Sequence, residues 1–302
     1  MKRTTKDWIF ATRPWALPAS IMPTITTISY IFYKQADFLK INWYLGILAL
    51  IAVAFFHLAG NLFNDYFDFI YNVDRKEDTY SNRILVDEIF KPKEIFIFAI
   101  LLLLIGIIIG IILSIFTSYK LLIIGGLGII GTVFYNKAKN IALGDLCIFL
   151  VYGQLIALGT AFVLLNEFYW KILLIIAPIG LLIVAILHAN NTRDILNDAK
   201  ANIKTFAMIL NLKRAKIYFT LLIIMCFVLT LILIIIKFIS PLCLLVFFSF
   251  PIVLKAILNI NKVTINNLQE IKTLNEMMAK YVLIFSMILF LANIIAGIFL
   301  LY

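Results

Sequence analysis

Residues 95–119 read IFIFAILLLLIGIIIGIILSIFTSY, a stretch of 25 residues without Asp, Glu, Lys or Arg. A transmembrane helix needs about 20 consecutive apolar residues. A transmembrane β-strand would instead alternate polar and apolar residues over about ten positions, which this stretch does not do. Because backbone groups in lipid must pair with one another, the stretch predicts a helix that crosses a membrane.

Further charge-free runs of this kind occur along the whole chain. Nine runs of 16 residues or more together hold 186 of the 302 residues, and 64% of the chain is hydrophobic. With a mean hydropathy of +1.05, this composition excludes a soluble globular protein. It predicts an all-α polytopic membrane protein with nine transmembrane helices in a single domain, residues 1–302. The runs are 14–33, 41–64, 95–119, 121–136, 146–166, 172–192, 217–236, 238–254 and 281–302.

The basic residues predict how these helices are oriented. If nine helices alternate across the bilayer, 21 of the 26 Lys and Arg residues lie on the side of the N-terminus. Cytoplasmic loops carry such an excess, so the N-terminus is predicted to be cytoplasmic and the C-terminus outside. The expected location is the cell membrane, in a multi-pass protein. The net charge of +10 is then explained by topology and by attraction to the lipid bilayer, and no nucleic acid partner is expected.

The acidic residues are crowded on the same predicted cytoplasmic side. Fourteen of the 16 Asp and Glu residues lie there, and eight of these fall between residues 65 and 94. Carboxylates repel one another unless positive charge lies among them, and a divalent cation is the strongest such partner. The crowding therefore favours a bound divalent cation.

Two segments, at the ends of the second and sixth runs, share one pattern. One reads NLFNDYFDFIYNVD over residues 61–74, and the other reads HANNTRDILND over residues 188–198. Residues three or four apart share a face of a helix, so each segment presents two carboxylates preceded by an asparagine. We call these sets the first ridge, formed by Asn61, Asp65 and Asp68, and the second ridge, formed by Asn190, Asp194 and Asp198.

Oxygen atoms at two helix ends suit Mg²⁺, which takes oxygen ligands, keeps several waters and is often shared with substrate phosphates. Asp74 is off the face of a straight helix and reaches the first ridge only if the helix ends near Asn72. Basic residues follow both ridges and occur in the loop predicted after the fourth run. Carboxylates, metal and cations together predict a polyphosphate site. The basic residues are Arg75, Lys76, Arg83, Lys137, Lys139, Arg193, Lys200 and Lys204.

These residues resemble the UbiA superfamily of intramembrane prenyltransferases. Its members form a bundle of nine transmembrane helices around a central cavity open to the cytoplasmic side, and two Asp-rich motifs bind a prenyl diphosphate through Mg²⁺. Residues 64–68 read NDYFD as in the first motif, but Asn72 stands where the general pattern has its last Asp, and Asp74 follows. That spacing resembles the branch that prenylates 1,4-dihydroxy-2-naphthoate in menaquinone biosynthesis. Residues 12–23, TRPWALPASIMP, are similar to the same branch.

The resemblance implies a Mg²⁺-dependent prenyltransferase that moves a polyprenyl chain from polyprenyl diphosphate to the naphthoate, with loss of carbon dioxide. It assigns both metal binding and catalysis to Asp65, Asp68, Asp74, Asp194 and Asp198. The substrate-binding residues that it implies are Arg13, Asn61, Asn64, Tyr135, Lys137, Asp145, Asn190, Asn191, Arg193 and Lys204.

Two alternative functions remain open at this point. The same motifs would serve a different acceptor, such as 4-hydroxybenzoate, homogentisate or a glycerol lipid. A secondary transporter of a phosphorylated solute would also carry ionisable residues in its membrane helices. Its carboxylates are expected near the middle of the membrane between inverted repeats, whereas both ridges here end on one side.

Two further features are interpreted as structural. Residues 126–131, GLGIIG, lie inside a spanning run with no preceding strand, so they predict close helix packing through small residues. Gly106 and Gly110 form a pattern of the same kind. His57 and His188 lie on helices near the ridges, and a hydrogen-bonded structural role is favoured for both.

Overall fold

The computed structural model describes residues 3–34, 41–71, 84–201 and 203–301. Over these ranges the chain forms helices that are joined by short turns. A single isolated β-bridge pairs Ile141 with Lys204. The α-helices are α1 (Thr5–Ala11), α2 (Pro18–Lys34), α3 (Trp43–Ile70), α4 (Pro92–Phe116), α5 (Lys120–Asn140), α6 (Gly144–Ile148), α7 (Ile156–Leu165), α8 (Ile172–Arg193), α9 (Ile195–Lys200), α10 (Phe206–Ile235), α11 (Phe250–Lys262) and α12 (Leu274–Leu301).

Eight helical spans in the described ranges are long and apolar enough to cross a membrane. One of them, Gly144–Leu165, joins α6 to α7 through a π-helical segment, Phe149–Leu155. Another, Pro241–Lys262, joins a 3₁₀ segment to α11. The ninth predicted helix is α2, which has 17 residues and is shorter than the eight spans. The prediction of an all-α multi-pass membrane protein is confirmed.

Local sequence explains where α4 begins and why α10 is broken. Pro92 opens α4, where its missing N–H would have no partner in any case. Glu94 then accepts a hydrogen bond from the backbone nitrogen of Lys91 at 2.7 Å. Within α10, Asn211 has φ 60° and ψ 165°, a strained conformation for a residue other than glycine. Residues 206–210 therefore form a separate helical piece ahead of the long apolar part.

Helix α8 lies at the centre of the bundle. It packs against α2, α10, α12 and the π segment, while α3 packs along α4 and α2 along α12. Its side chains Ile176, Ile179 and Leu182 are fully buried. Large apolar residues such as Ile105 are instead exposed on the outer helices, where lipid would cover them.

Two glycines bring the π segment and α8 close together. A Cβ atom on Gly153 would lie 3.2 Å from the Cα atom of Gly180, so a larger residue would push the two backbones apart. Tyr152 and Gln154 flank Gly153 in this segment. Short π segments in membrane and soluble helices often occur at functional sites. These two side chains are thus positioned by backbone packing against the central helix.

The ends of α3, α5 and α8 meet on one side of the bundle, which we call the motif side. The Nζ atom of Lys139 lies 3.9 Å from an oxygen of Asp68. The backbone nitrogen of Lys204, just after α9, donates to the carbonyl oxygen of Asn140 at 3.2 Å. These contacts join chain segments that are far apart in sequence, and the basic residues predict that this side is cytoplasmic.

A cavity of about 240 Å³ lies between α3, α4, α5, the π segment and α7. Gly110, Gly126 and Gly128 line it, and a Cβ atom on any of them would meet no other atom within 4 Å. The predicted close packing is therefore wrong for these three glycines. It holds for Gly131, where a Cβ atom would overlap the side chain of Val151. Because Gly110, Gly126 and Gly128 have no side chains, they leave space in the bundle and do not bring helices into contact.

The same cavity opens toward the lipid-facing surface between α4 and α5. Ile111 and Leu122 line it and are nevertheless 46% and 49% exposed. The sequence predicted a central cavity open to the cytoplasmic side, whereas this cavity opens toward lipid, and its wall is almost entirely apolar. A long apolar chain could occupy it and still extend into the membrane.

Candidate functional site

Helix α3 carries the first ridge to the motif side. Asp65 is buried, and one of its carboxylate oxygens accepts a hydrogen bond from the guanidinium group of Arg13. Asn61, one turn earlier, donates from its side-chain nitrogen to the carbonyl oxygen of Thr12 at 2.9 Å. Arg13 has a positive φ of 53°. The Asn61 contact therefore stabilises the tight turn that presents Arg13 to Asp65.

Asp68 is the more accessible carboxylate of the first ridge. Asn64 donates a hydrogen bond to its Oδ2 atom at 2.9 Å. The ammonium group of Lys139 lies 3.9 Å from the same oxygen, at the edge of ion-pair distance. Asp68 thus faces a cation that does not hold it as tightly as Arg13 holds Asp65.

The second ridge crosses a break between two helices. Helix α8 ends at Arg193, Asp194 caps it, and α9 begins at the next residue. The hydrogen bonds four residues apart continue across the break, from Asp194 N to Asn190 O at 2.9 Å and from Asp198 N to Asp194 O at 2.8 Å. The predicted spacing within the second ridge therefore holds, although the ridge is not one straight helix.

Arg193 binds Asp194 through both carboxylate oxygens. Its Nε atom donates to Oδ1 at 2.7 Å and its Nη2 atom to Oδ2 at 2.6 Å. A third nitrogen donates to the carbonyl oxygen of Lys272 at 3.4 Å, and the side chain is almost buried. The sequence predicted Arg193 as a cation for the substrate, and in this structure it also holds Asp194 in place.

Asp198 is the most deeply buried carboxylate of the second ridge, at 1% exposure. Burial raises the pKa of its carboxyl group to about 7. The carboxylates of Asp194 and Asp68 raise this pKa further, whereas Lys139 and Arg193 lower it. The Oδ2 atom of Asp198 has no hydrogen-bond partner among the described residues. Because Asp68 and Asp198 influence each other, the two ridges face one another across the motif side.

The cation between the two ridges is Lys139 and not the predicted Lys137. Helix α5 continues to Asn140, so Tyr135 and Lys139 share a face while Lys137 points to the opposite one. The ammonium group of Lys137 lies 5.3 Å from the ring centre of Phe134, and the residue is exposed. The sequence predicts a loop over residues 137–145, whereas α5 continues as a helix to Asn140. The sequence named Lys139 only among several basic residues, and continuing the helical spacing from Tyr135 distinguishes it from Lys137.

Asp145 reaches the site from the first turn of α6. Its Oδ2 atom lies 2.9 Å from Nδ1 of His188, and Nε2 of the same ring lies 3.1 Å from the carbonyl oxygen of Ala215. A carboxylate and a carbonyl oxygen both accept, so each ring nitrogen of His188 faces an acceptor, and the Asp145 contact is at ion-pair distance. Tyr135 interacts electrostatically with Asp145 and with Asp68, which places it between this pair and the first ridge.

The two histidines differ from each other. The predicted hydrogen-bonded role is confirmed for His188, whose ring is fully buried and bonded at both nitrogens. For His57 the prediction is wrong, because neither ring nitrogen has a hydrogen-bond partner in the part of the chain that the structure describes. Its neighbours are mostly apolar side chains of the cavity wall.

The other predicted residues lie at the margin of the site. Asn191 is buried, and the Oδ1 atom of Asn190 is buried without a hydrogen-bond partner in the described ranges. Lys204 is exposed, and only its backbone contacts α5. Asp74 and Asn72 lie outside the described residues.

One buried polar residue of this region was not predicted. Asn136 is 7% exposed and lies on α5, three residues before Lys139. Neither atom of its amide group has a hydrogen-bond partner within residues 3–34, 41–71, 84–201 and 203–301. The sequence signal that could have identified Asn136 is its position as an amide near the end of an apolar helix. Asn136 lies on the same helix face as Lys139.

The described ranges contain no cluster of three Asp, Glu, His or Cys side chains that could hold a metal ion on its own. Arg13 and Arg193 each bind one carboxylate of a ridge. Oxygen donors remain, including Asp68 and the unpartnered buried oxygens of Asp198 and Asn190. Such a set fits Mg²⁺, which accepts few protein ligands when waters and phosphate oxygens complete its shell.

Comparison with known proteins gives a consistent result. The sequence model of the UbiA prenyltransferase family matches residues 21–266. "UbiA prenyltransferase domain-containing protein 1" of Xenopus tropicalis is 33% identical over 218 residues, which are 69% of this chain and 61% of that protein. This chain therefore spans about three fifths of the length of that relative.

Two solved structures share the fold. A UbiA homologue from Aeropyrum pernix K1 superposes with a TM-score of 0.66 at 16% identity, covering 90% of this chain and 95% of that one. A UbiA homologue from Archaeoglobus fulgidus, solved with DMAPP and Mg²⁺, superposes with a TM-score of 0.59 at 16% identity, covering 92% and 98%. At these identities the likeness concerns the fold.

The His188 and Asp145 pair should be important for stability. Replacing His188 by Leu leaves a buried carboxylate without its counter-ion, which costs about 3–5 kcal/mol. We expect a lower thermal unfolding temperature in detergent for His188→Leu. The double variant His188→Leu with Asp145→Leu should recover much of the loss, since no charge is then left unpaired. Equal unfolding temperatures for wild type and His188→Leu would contradict the ion pair.

Proposed function

We propose, since this chain belongs to the UbiA prenyltransferase family, that it transfers a polyprenyl chain from polyprenyl diphosphate to 1,4-dihydroxy-2-naphthoate. One observation carries the proposal: two acidic ridges face each other across Lys139, at the motif side of a helix bundle with an apolar cavity. The ridges suit an anionic head group with its metal. The cavity suits an isoprenoid chain.

The diphosphate is proposed to bind between the ridges. Asp68 and Asp198 would hold Mg²⁺ together with Asp65, Asp194 and Asp74, as the sequence predicted. Bound Mg²⁺ supplies positive charge that stabilises diphosphate as a leaving group. The A. fulgidus homologue, which was solved with DMAPP and Mg²⁺, supports this choice of ligand.

Basic side chains of this chain would complete the charge balance. Lys139 already lies between Asp68 and Asp198 and can turn toward a phosphate oxygen. Arg13 and Arg193 can exchange a carboxylate for a phosphate, because a guanidinium group binds either one through two parallel hydrogen bonds. Lys204 lies on the exposed edge of the same side.

The reaction then proceeds by electrophilic substitution. The bond between the first prenyl carbon and the diphosphate oxygen breaks, and its electron pair leaves with the diphosphate. The ring carbon that bears the carboxylate forms the new carbon–carbon bond, and loss of carbon dioxide returns an electron pair to the ring. Tyr135 would offer an aromatic face to the intermediate allylic cation. The apolar cavity wall excludes water that would trap the cation.

The acceptor is proposed from the spacing of the first motif. Asp74 follows Asp68 by six residues, as in the branch that acts on 1,4-dihydroxy-2-naphthoate. The matching relatives are named for their prenyltransferase domain, and their names specify no acceptor. The cell membrane as location and menaquinone biosynthesis as context depend on the same spacing, and both stay predictions.

Product formation should require the ridges and the metal. With Mg²⁺, a polyprenyl diphosphate and the naphthoate, purified wild type should release diphosphate and form a prenylated naphthoquinol. EDTA, or the double variant Asp68→Ala with Asp194→Ala, should lower the rate by at least about 100-fold, because charge stabilisation of the leaving group is lost. Glu276→Gln is the matched control, since Glu276 is an exposed acid on α12 outside the ridges. Undiminished activity in EDTA would rule out the mechanism.

The acceptor should be selected from a panel. We expect mass spectrometry to show prenylated product with 1,4-dihydroxy-2-naphthoate when 4-hydroxybenzoate, homogentisate and a glycerol lipid are offered in parallel. One molecule of carbon dioxide should be released with each molecule of prenylated naphthoquinol. Preferential prenylation of another member of the panel would assign this protein to a different branch of the family.

Mg²⁺ binding should weaken as the pH falls. Asp198 has a pKa of about 7 in the metal-free protein, so at lower pH a bound proton must be displaced before the carboxylate can contact the metal. The half-saturating Mg²⁺ concentration should rise roughly tenfold from pH 8 to pH 6. It can be followed by Mg²⁺ titration of the purified protein in the absence of diphosphate. In Asp198→Asn the binding should be weaker throughout and this pH dependence should disappear; a persistent dependence would exclude Asp198 as its source.

A further inference from the structure

One end of the cavity is polar and is formed by His57, Thr132 and Tyr152. All three line the cavity, and His57 is 5% exposed. The rings of His57 and Tyr152 meet edge-on with their centres 5.5 Å apart. Tyr152 also lies against α3 at Gly60, where an added Cβ atom would be 3.0 Å from its hydroxyl oxygen. Polar atoms are thus grouped at one place in an apolar wall.

His57 differs from the Ser and Thr residues of the wall in having no hydrogen-bond partner among the described residues. The hydroxyl groups of Ser20, Thr132 and Thr160 each donate to a carbonyl oxygen of their own helix or helix start. Neither nitrogen of His57 has a hydrogen-bond partner in the described part of the chain. A buried polar group without a partner is costly, and native proteins rarely keep one without a function.

The chemistry of the cavity wall limits what the partner can be. Among the described residues that line it there is no Asp, Glu, Lys or Arg. A charged ring would lack a counter-ion there, so His57 is neutral, with one nitrogen that donates and one that accepts. A diphosphate or a metal ion would need charges that this wall does not offer. A neutral hydroxyl of a ligand fits both the polarity and the charge, and a charged group on the same ligand must then lie outside this wall, toward the basic residues of the motif side.

We propose that His57 accepts a hydrogen bond from a phenolic hydroxyl of the acceptor, so that the polar end of the cavity is the acceptor site. This inference rests on the proposed function, because it assigns a place to the second substrate of that reaction. His57 would act as a binding and positioning residue. Its neutral ring would also favour acceptors with a free hydroxyl over their ethers.

The location along α3 agrees with this assignment. His57 precedes Asp65 by eight residues on one continuous helix, which is a rise of about 12 Å. A ring held at His57 would therefore extend toward the first ridge, where the diphosphate is proposed to leave. The remaining cavity, lined by Gly126 and Gly128, is left for the isoprenoid chain.

The test compares His57→Phe and His57→Gln with wild type. Phe keeps the aromatic contact with Tyr152 and removes both nitrogens, whereas Gln restores a hydrogen-bonding group. The substrates are geranylgeranyl diphosphate with Mg²⁺, and either 1,4-dihydroxy-2-naphthoate or each of its two mono-O-methyl ethers. His57→Phe should raise the KM for the naphthoate about tenfold, the effect of one lost hydrogen bond, and leave the KM for geranylgeranyl diphosphate unchanged. His57→Gln should recover most of the loss.

The ethers separate a bound hydroxyl from a structural role. Wild type should prefer the free naphthoate over one ether by about tenfold, and His57→Phe should lose this preference. Thr230→Val is the matched control, because it also removes a fully buried polar group from a spanning helix, on α10 away from the cavity. Its KM values should equal those of wild type.

Each outcome bears on a different statement. An unchanged acceptor KM in His57→Phe, or a changed KM for geranylgeranyl diphosphate alone, would overturn the acceptor site and leave the proposed function standing. If wild type transfers no prenyl group to any acceptor, the proposed function falls and the acceptor site falls with it. If His57→Phe does not fold, His57→Gln decides: it should keep the preference for the free hydroxyl, and loss of that preference overturns the inference.

Discussion

Repulsion between carboxylates collected at one end of an apolar bundle is the constraint around which this site is organised. Arg13 and Arg193 each bind the first Asp of a ridge by direct hydrogen bonds. Lys139 lies between the second members, Asp68 and Asp198, at a longer distance. The inner pair is therefore the less neutralised one. Charge of the opposite sign is best accommodated there, which is where a metal with its phosphate would settle.

The parts of the fold that follow from local rules were predictable from the sequence. Apolar runs become helices because lipid leaves the backbone no other way to pair its polar groups. The spacing from Asp194 to Asp198 survives a helix break because hydrogen bonds four residues apart continue through it. Lys139 was predicted only as one of several nearby cations, because its direction depends on α5 continuing to Asn140, and helix ends are the least certain part of a sequence pattern.

Contacts between distant segments could not be predicted in the same way. Arg13 reaches Asp65 from a turn to which Asn61 donates a hydrogen bond, and His188 connects Asp145 to the carbonyl of Ala215 on a third helix. Glycine patterns are equally ambiguous in a sequence, since Gly126 opens a cavity whereas Gly131 packs against its neighbour. Which of the two occurs depends on how far apart the helices lie, and tertiary packing decides that.

The opening of the cavity between α4 and α5 affects how apolar chains exchange between the cavity and the surrounding lipid. Lipid tails are as apolar as the cavity wall, so an isoprenoid chain that enters replaces a lipid tail at almost no gain in free energy. Recognition must then come from the head group alone. Under the proposed function, a substrate that carries diphosphate would be retained by the charged end of the bundle, and a product that has lost it would not. Release would then need no gate, because a product without the anion would exchange with the neighbouring lipids.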